Sequence, residues 1–89
     1  MKYEALIEVR LKSGIADPEG KTIESNLPAM GFTDISKVSV GRSFRLIVEA
    51  DEESAALARA EQLCNKLLAN PVLERATVEI RPTAGMGNS

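Results

Sequence analysis

Eighty-nine residues with a net charge of −2 and 44% apolar content, among which Tyr3, Phe32 and Phe44 are the aromatics, describe one small domain and give no electrostatic case for nucleic acid or an anionic membrane. The chain has no histidine, and Cys64 is its single cysteine; a histidine base or ligand, an intrachain disulfide and a cysteine metal cluster are therefore excluded. No run reaches membrane-spanning length and the N-terminus lacks a signal-peptide core, so a cytoplasmic protein is expected, and a chain this short buries only roughly 60–65% of its unfolded surface, which favours an oligomer or larger complex.

Residues 2–12 alternate. Tyr3, Ala5, Ile7, Val9 and Leu11 point one way, and Lys2, Glu4, Glu8, Arg10 and Lys12 the other, which predicts a long strand with one face on a core. Leu6 is the apolar exception on the polar face. Ser13-Gly14 breaks the strand. Asp17 then caps a helix whose first residue is Pro18, where the missing N–H costs nothing. Ile23, Leu27 and Met30 make its apolar stripe. Pro28 removes a helical hydrogen bond and predicts a kink or a tightened turn near Leu27. Gly31, followed by Phe32, ends the element.

A second strand is expected over residues 35–40, with Val38 and Val40 inward, then a turn at Gly41-Arg42. Phe44, Leu46, Val48 and Ala50 alternate as a third strand, with Arg45, Ile47 and Glu49 opposite. The segment 51–70 reads as the helix on which the strands pack. Asp51 is its expected N-cap, Glu52 and Glu53 suit the positive end of the dipole, and Ala56, Ala60, Leu63, Cys64 and Leu67 form one stripe. Such a helix spans roughly 19 residues, about 28 Å. Asn70 is expected in the left-handed conformation, and Pro71 ends the run. Residues 72–81 form the last strand, with Ala76, Val78 and Ile80 on one side. Residues 1–81 are one domain, and 82–89 are expected to be a flexible tail.

The order β-α-β-β-α-β predicts an α+β two-layer sandwich. Two helices would cover one face of a four-stranded, mainly antiparallel sheet, in ferredoxin-like order (fourth, first, third, second) or a strand-exchanged variant. Leu6 and Ile47 would then share the open face of the central strands. They mark a self-association surface, or they are the isolated exposed aliphatics common on any protein. The loop after the first strand, the Gly41-Arg42 turn and the Asn70-Pro71 turn would meet at one end of the sandwich. Lys12, Gly14, Asp17, Pro18, Gly41, Arg42, Asn70 and Pro71 are thus candidate partner contacts, or simply good turn residues.

No catalytic constellation emerges. Cys64 sits on an apolar stripe and reads as a small buried hydrophobe. Glu52 and Glu53 diverge by about 100° on a helix and do not form a working pair. The glycines fit no phosphate loop. Tyr3 and Phe44 belong to the core-facing set, not to an RNA-stacking platform. The reading is a non-catalytic interaction domain with no cofactor or metal of its own.

Several stretches taken together resemble the PurS family, the small subunit of phosphoribosylformylglycinamidine (FGAM) synthase. They are Gly14-Ile15-x-Asp17-Pro18-x-Gly20, Val38-x-Val40-Gly41-Arg42, Cys64-x-Lys66-Leu67-Leu68-Ala69-Asn70-Pro71-Val72, Glu74, and Val78-Glu79-Ile80. Ala76, where similar sequences often have an aromatic, and Pro28 depart from the pattern. The resemblance implies an assembly subunit of purine biosynthesis, a homodimer or homotetramer. It would bridge a glutaminase and a large synthetase, the latter using ATP and Mg2+ to convert formylglycinamide ribonucleotide to formylglycinamidine ribonucleotide. The alternative is a small-molecule-sensing regulatory domain of the ACT type, which has the same element order.

Overall fold

The computed structural model describes residues 1–83. Its elements are β1 (Lys2–Leu11), α1 (Pro18–Asn26), a 3-10 turn (Pro28–Met30), β2 (Gly41–Glu49), α2 (Glu53–Leu63), a π turn (Cys64–Leu68) and β3 (Glu74–Pro82). The sheet is antiparallel in the order β2-β1-β3. The α+β class stands, and so does the neighbourhood predicted for the first strand. Four strands are replaced by three among the described residues.

The core follows the alternation of β1. Tyr3, Ala5, Ile7 and Val9 are buried, as are Val48 and the helical residues Ala56, Ala60 and Cys64. The three helical residues are four apart, so they form one line along α2. Alanine at two of these positions leaves no bulk between the helix and the central strand. Phe44, Leu46, Ala76, Val78 and Ile80 close the core from the flanking strands. On the other face Glu4 is buried between Ile47 and Arg81 in register, and the Arg45 Nε lies 3.9 Å from its carboxylate.

The missing strand has a specific cause. Residues 34–40 form no ladder, and Lys37 stands at φ 59°, a conformation no strand accommodates. The Val38 N–H donates to Glu24 Oε1 (3.1 Å) and the Val40 N–H to Asp17 Oδ2 (2.9 Å). Two carboxylates have taken the donors that a strand would have used. Gly41-Arg42 is accordingly no turn: β2 begins there, with Gly41 opposite Arg10.

The first helix begins as expected, with Asp17 Oδ1 accepting from the Gly20 N–H at 2.9 Å and Pro18 as its first residue. Pro28 does tighten the chain, since α1 stops at Asn26 and a 3-10 turn follows, and Gly31 ends it in the left-handed region. The expected burial of the stripe fails. Ile23, Met30, Phe32 and Ile35 are 42%, 68%, 44% and 48% exposed. Among the described residues only α2 covers the sheet, and α1 touches it little. The radius of gyration is 16.9 Å, against about 12 Å for a compact chain of this length.

Three further corrections concern chain ends and caps. Glu52, not Asp51, is the N-cap of α2, and it makes no side-chain cap bond. The long helix ends at Leu63 and widens into the π turn, closed by the Ala69 N–H on the Cys64 carbonyl at 2.9 Å. The wide turn brings Leu68 toward the core and leaves Leu67 75% exposed, a register change that α-helical spacing does not foresee. β3 runs through Pro82, and the Thr83 hydroxyl donates to the Lys2 carbonyl at 2.8 Å. Pro82 and Thr83, expected in the tail, are therefore tied to β1; the remaining residues of the expected tail, 84–89, lie outside the described part.

Candidate functional site

The three segments expected at one end of the sheet do meet there. Register places Gly41 and Glu74 against the last residues of β1, Arg10 and Leu11. The Lys12 N–H extends the ladder to the Leu73 carbonyl at 2.9 Å. Three of the residues singled out from the sequence, Asp17, Arg42 and Asn70, are bonded to other parts of the chain, in two clamps.

The first clamp fixes α1. Asp17, Gly20 and Glu24 are spaced i, i+3 and i+7, so they share one helical face. Asp17 binds the Gly20 and Val40 N–H groups through different oxygens, and Glu24 binds the Val38 N–H. Between the two carboxylates Gly20 is buried, and a Cβ there would lie 2.6 Å from the Val38 carbonyl oxygen. Only glycine permits that approach. The Val40 and Gly20 N–H groups stabilise the charged form of Asp17 and hold its carboxyl below the ordinary carboxylate value. Pro18 sets the start of the helix, while Gly14, with φ 86°, stays exposed in the preceding loop.

The second clamp joins β2, the π turn and β3. Arg42 Nη2 donates to the Leu68 carbonyl (3.1 Å) and to both oxygens of Glu74 (3.2 Å each). Glu74 Oε1 also accepts from the Asn70 N–H at 2.8 Å. The Arg42 guanidinium carbon stands 5.6 Å from the Phe44 ring centre, a cation–π geometry. Asn70 does not take a positive φ. Instead its Oδ1 accepts from the Val72 N–H at 3.0 Å, an Asx turn around Pro71. Gly41 is needed because a Cβ would lie 2.7 Å from the Val9 carbonyl oxygen.

Sequence reasoning missed Glu24, whose only signal is its place one and two turns beyond Gly20 and Asp17 on the same helix face. The expected open-face pair is also less apolar than it reads. Ile47 is 56% exposed, Leu6 is half-buried, and they sit diagonally, with Leu6 opposite Arg45 and Glu79 and Ile47 opposite Glu4. Among the described residues no group of three or more histidine, cysteine or acidic side chains is placed to hold a metal, and no helix is long and apolar enough to cross a membrane. Burial, and then the charge of Glu61, push the Cys64 thiol up, away from the reactive thiolate.

The family model described as PurS, phosphoribosylformylglycinamidine (FGAM) synthase, matches residues 4–82. The chain belongs to the PurS family. It is 38% identical over 72 residues to the PurS subunit of Archaeoglobus fulgidus, spanning 81% of this chain and 90% of that one. It is 33% identical over 78 residues to the PurS subunit of Methanocaldococcus jannaschii, covering 88% and 94% of the two chains. A chain in the structure of PurLQS from Thermotoga maritima superposes with a TM-score of 0.83 at 32% identity, covering 90% of this chain and 98% of that one. These PurS matches lend nothing to the ligand-sensing alternative. The stretches that carry the resemblance are largely those that build the two clamps.

Proposed function

We propose that this PurS chain is the non-catalytic assembly subunit of FGAM synthase in purine biosynthesis, bridging a large ATP-dependent synthetase and a glutaminase. The observation that carries the reading is the match along almost the whole chain to a PurS subunit within a PurLQS structure. The chemistry of the chain agrees with it, since the sequence offers no histidine and one buried cysteine. ATP and Mg2+ act in the synthetase, not on this chain, and the complex works in the cytoplasm. The expected experiment is reconstitution. The purified chain has no ligase or glutaminase activity, and adding it to its two partners restores glutamine-dependent turnover. Full glutamine-dependent turnover by the partners alone would overturn the assembly role.

The subunit acts as a homo-oligomer, a dimer or tetramer. Among the described residues the outer edge of β2 lacks a strand, and beside it a groove of about 440 Å3 runs between β2 and α2, lined by Leu46, Val48 and Leu63 among others. The apolar arm of α1 and the 3-10 turn is the complementary surface, exposed at Ile23, Met30 and Ile35. Within one chain α1 does not pack substantially on α2 or the sheet, and we take the occupant to be a second copy. Sedimentation at micromolar protein should give two or more chains, and Ile23→Asp with Met30→Asp should give monomers that keep their helix content. A wild-type monomer would refute this mode. Lys12 and Gly14, exposed or half-exposed and outside both clamps, are the better remaining candidates for contact with the catalytic chains.

A further inference from the structure

We infer that the loop end of the sheet carries a binding site for a phosphate-sized oxyanion, built from Arg10, Lys12 and Arg75. The inference is independent of the assembly reading. β1 and β3 place Arg10 directly opposite Arg75. Like charges directly opposed across strands destabilise a sheet, so the pair asks for a counter-charge. Lys12 lies two residues beyond Arg10 and therefore on the same side of the strand, and its backbone still pairs with β3.

The open face elsewhere is balanced. Lys2 stands opposite Glu49, Arg45 approaches Glu4, Arg81 pairs with Glu79, and Arg10 itself reaches Glu8 at 3.2 Å. Among the described residues Arg75 and Lys12 have no carboxylate within 4.0 Å. Of the other acids at this end, Glu74 is engaged by Arg42 and the Asn70 N–H, and Asp17 has both oxygens engaged by backbone N–H groups.

The three cations line a concavity of about 130 Å3, with Ser13, Ser39 and the acidic Asp17 also at its wall. That volume admits one tetrahedral oxyanion and is too small for a nucleoside. Two guanidiniums offer forked donors and the ammonium a point charge, a set suited to phosphate. The anion can be free phosphate or the phosphate group of a larger molecule whose remainder stays outside.

The test is an amide-resolved NMR titration of the full chain with inorganic phosphate at constant ionic strength, with chloride as the control and adenosine monophosphate as a second arm. Saturable shifts are expected at residues 11–13, 39 and 75 with phosphate but not chloride. Arg75→Gln or, should that variant misfold, Lys12→Gln should weaken binding at least about tenfold, the worth of one charge-assisted hydrogen bond. Tighter binding of the monophosphate would assign the anion to a nucleotide; equal binding would assign it to a phosphate group alone. Shifts shared with chloride, or affinity unchanged in a folded variant, would overturn the site. So would phosphate indifference combined with loss of partner-chain binding in Arg75→Glu, which would give the cluster to protein carboxylates.

Discussion

Gly20→Ala tests the first clamp through the sign of its effect. In an ordinary exposed helix, alanine for glycine stabilises by about 1 kcal/mol. Here the new Cβ would fall 2.6 Å from the Val38 carbonyl oxygen and 2.8 Å from Asp17 Oδ2. The nearer atom is backbone, so it cannot rotate away, and α1 or residues 37–40 must shift by several tenths of an ångström. Forcing an extra carbon into a filled site costs about 1–3 kcal/mol. Setting this against the propensity gain leaves a net loss of about 1 kcal/mol, some 2 kcal/mol away from the exposed-helix expectation. For a domain of this size that difference corresponds to about 8–16 °C in Tm. The measurement is urea and thermal unfolding at fixed chain concentration, because self-association would add its own stabilisation. Hydrogen exchange should show the Val38 and Val40 amides losing protection before the β1 amides do. A Gly20→Ala protein that is more stable than wild type, with both amides still protected, would refute the clamp.

Arg42→Glu, which from the sequence alone reads as an assembly mutation that spares the fold, should instead lower stability by about 1–2 kcal/mol, since it breaks the half-exposed bonds from Arg42 Nη2 to Glu74 and the Leu68 carbonyl and sets two carboxylates together. An unchanged urea midpoint with lost assembly would return Arg42 to the partner-contact set. Asp17 adds a pH dependence: its folded value lies below the ordinary 3.8, so its contribution is complete above that pH and is lost as pH falls through the folded value. The stability gap between wild type and Asp17→Asn should therefore narrow below about pH 4, and a gap constant from pH 7 to 2.5 would contradict the assignment. Cys64, 2% exposed with its thiol pushed up by burial, should react with a disulfide reagent only as the chain opens. Modification within seconds in native buffer would show that the thiol is accessible.

The strands were legible wherever one face met α2. The alternation of β1 and β2, the Asp17-Pro18 start, the Pro28 break and the Gly31 stop all depend on neighbours within a few residues, and local pattern reports those. The second strand fails because Ile35, Val38 and Val40 carry the right pattern, while the backbone donors of Val38 and Val40 are claimed by Glu24 and Asp17, up to 23 residues away. Leu67 was misplaced because the π turn changes the period of the helix at Cys64. The candidate contacts do share one end of the sheet, but the sequence does not show that Asp17, Arg42 and Asn70 bind groups inside the chain. The Arg10–Arg75 juxtaposition was invisible until the register was known.

The two clamps also explain why an apolar arm can stand off the sheet in a chain this small. Burying Ile23 and Met30 against α2 would fix α1 by hydrophobic packing and spend its surface within one chain. Here polar contacts do that task. Asp17 and Glu24 hold residues 38–40, Gly20 lets the backbones touch, and Arg42 ties the start of the adjoining strand to Glu74. The apolar side chains are left facing outward on a helix whose direction is already set. Association of the proposed kind would then order few additional groups, which is the main cost that preorganisation removes. In the proposed homo-oligomer, the specificity of assembly would thus be carried by the hydrogen-bonded clamps, and its affinity by the surface that those clamps present.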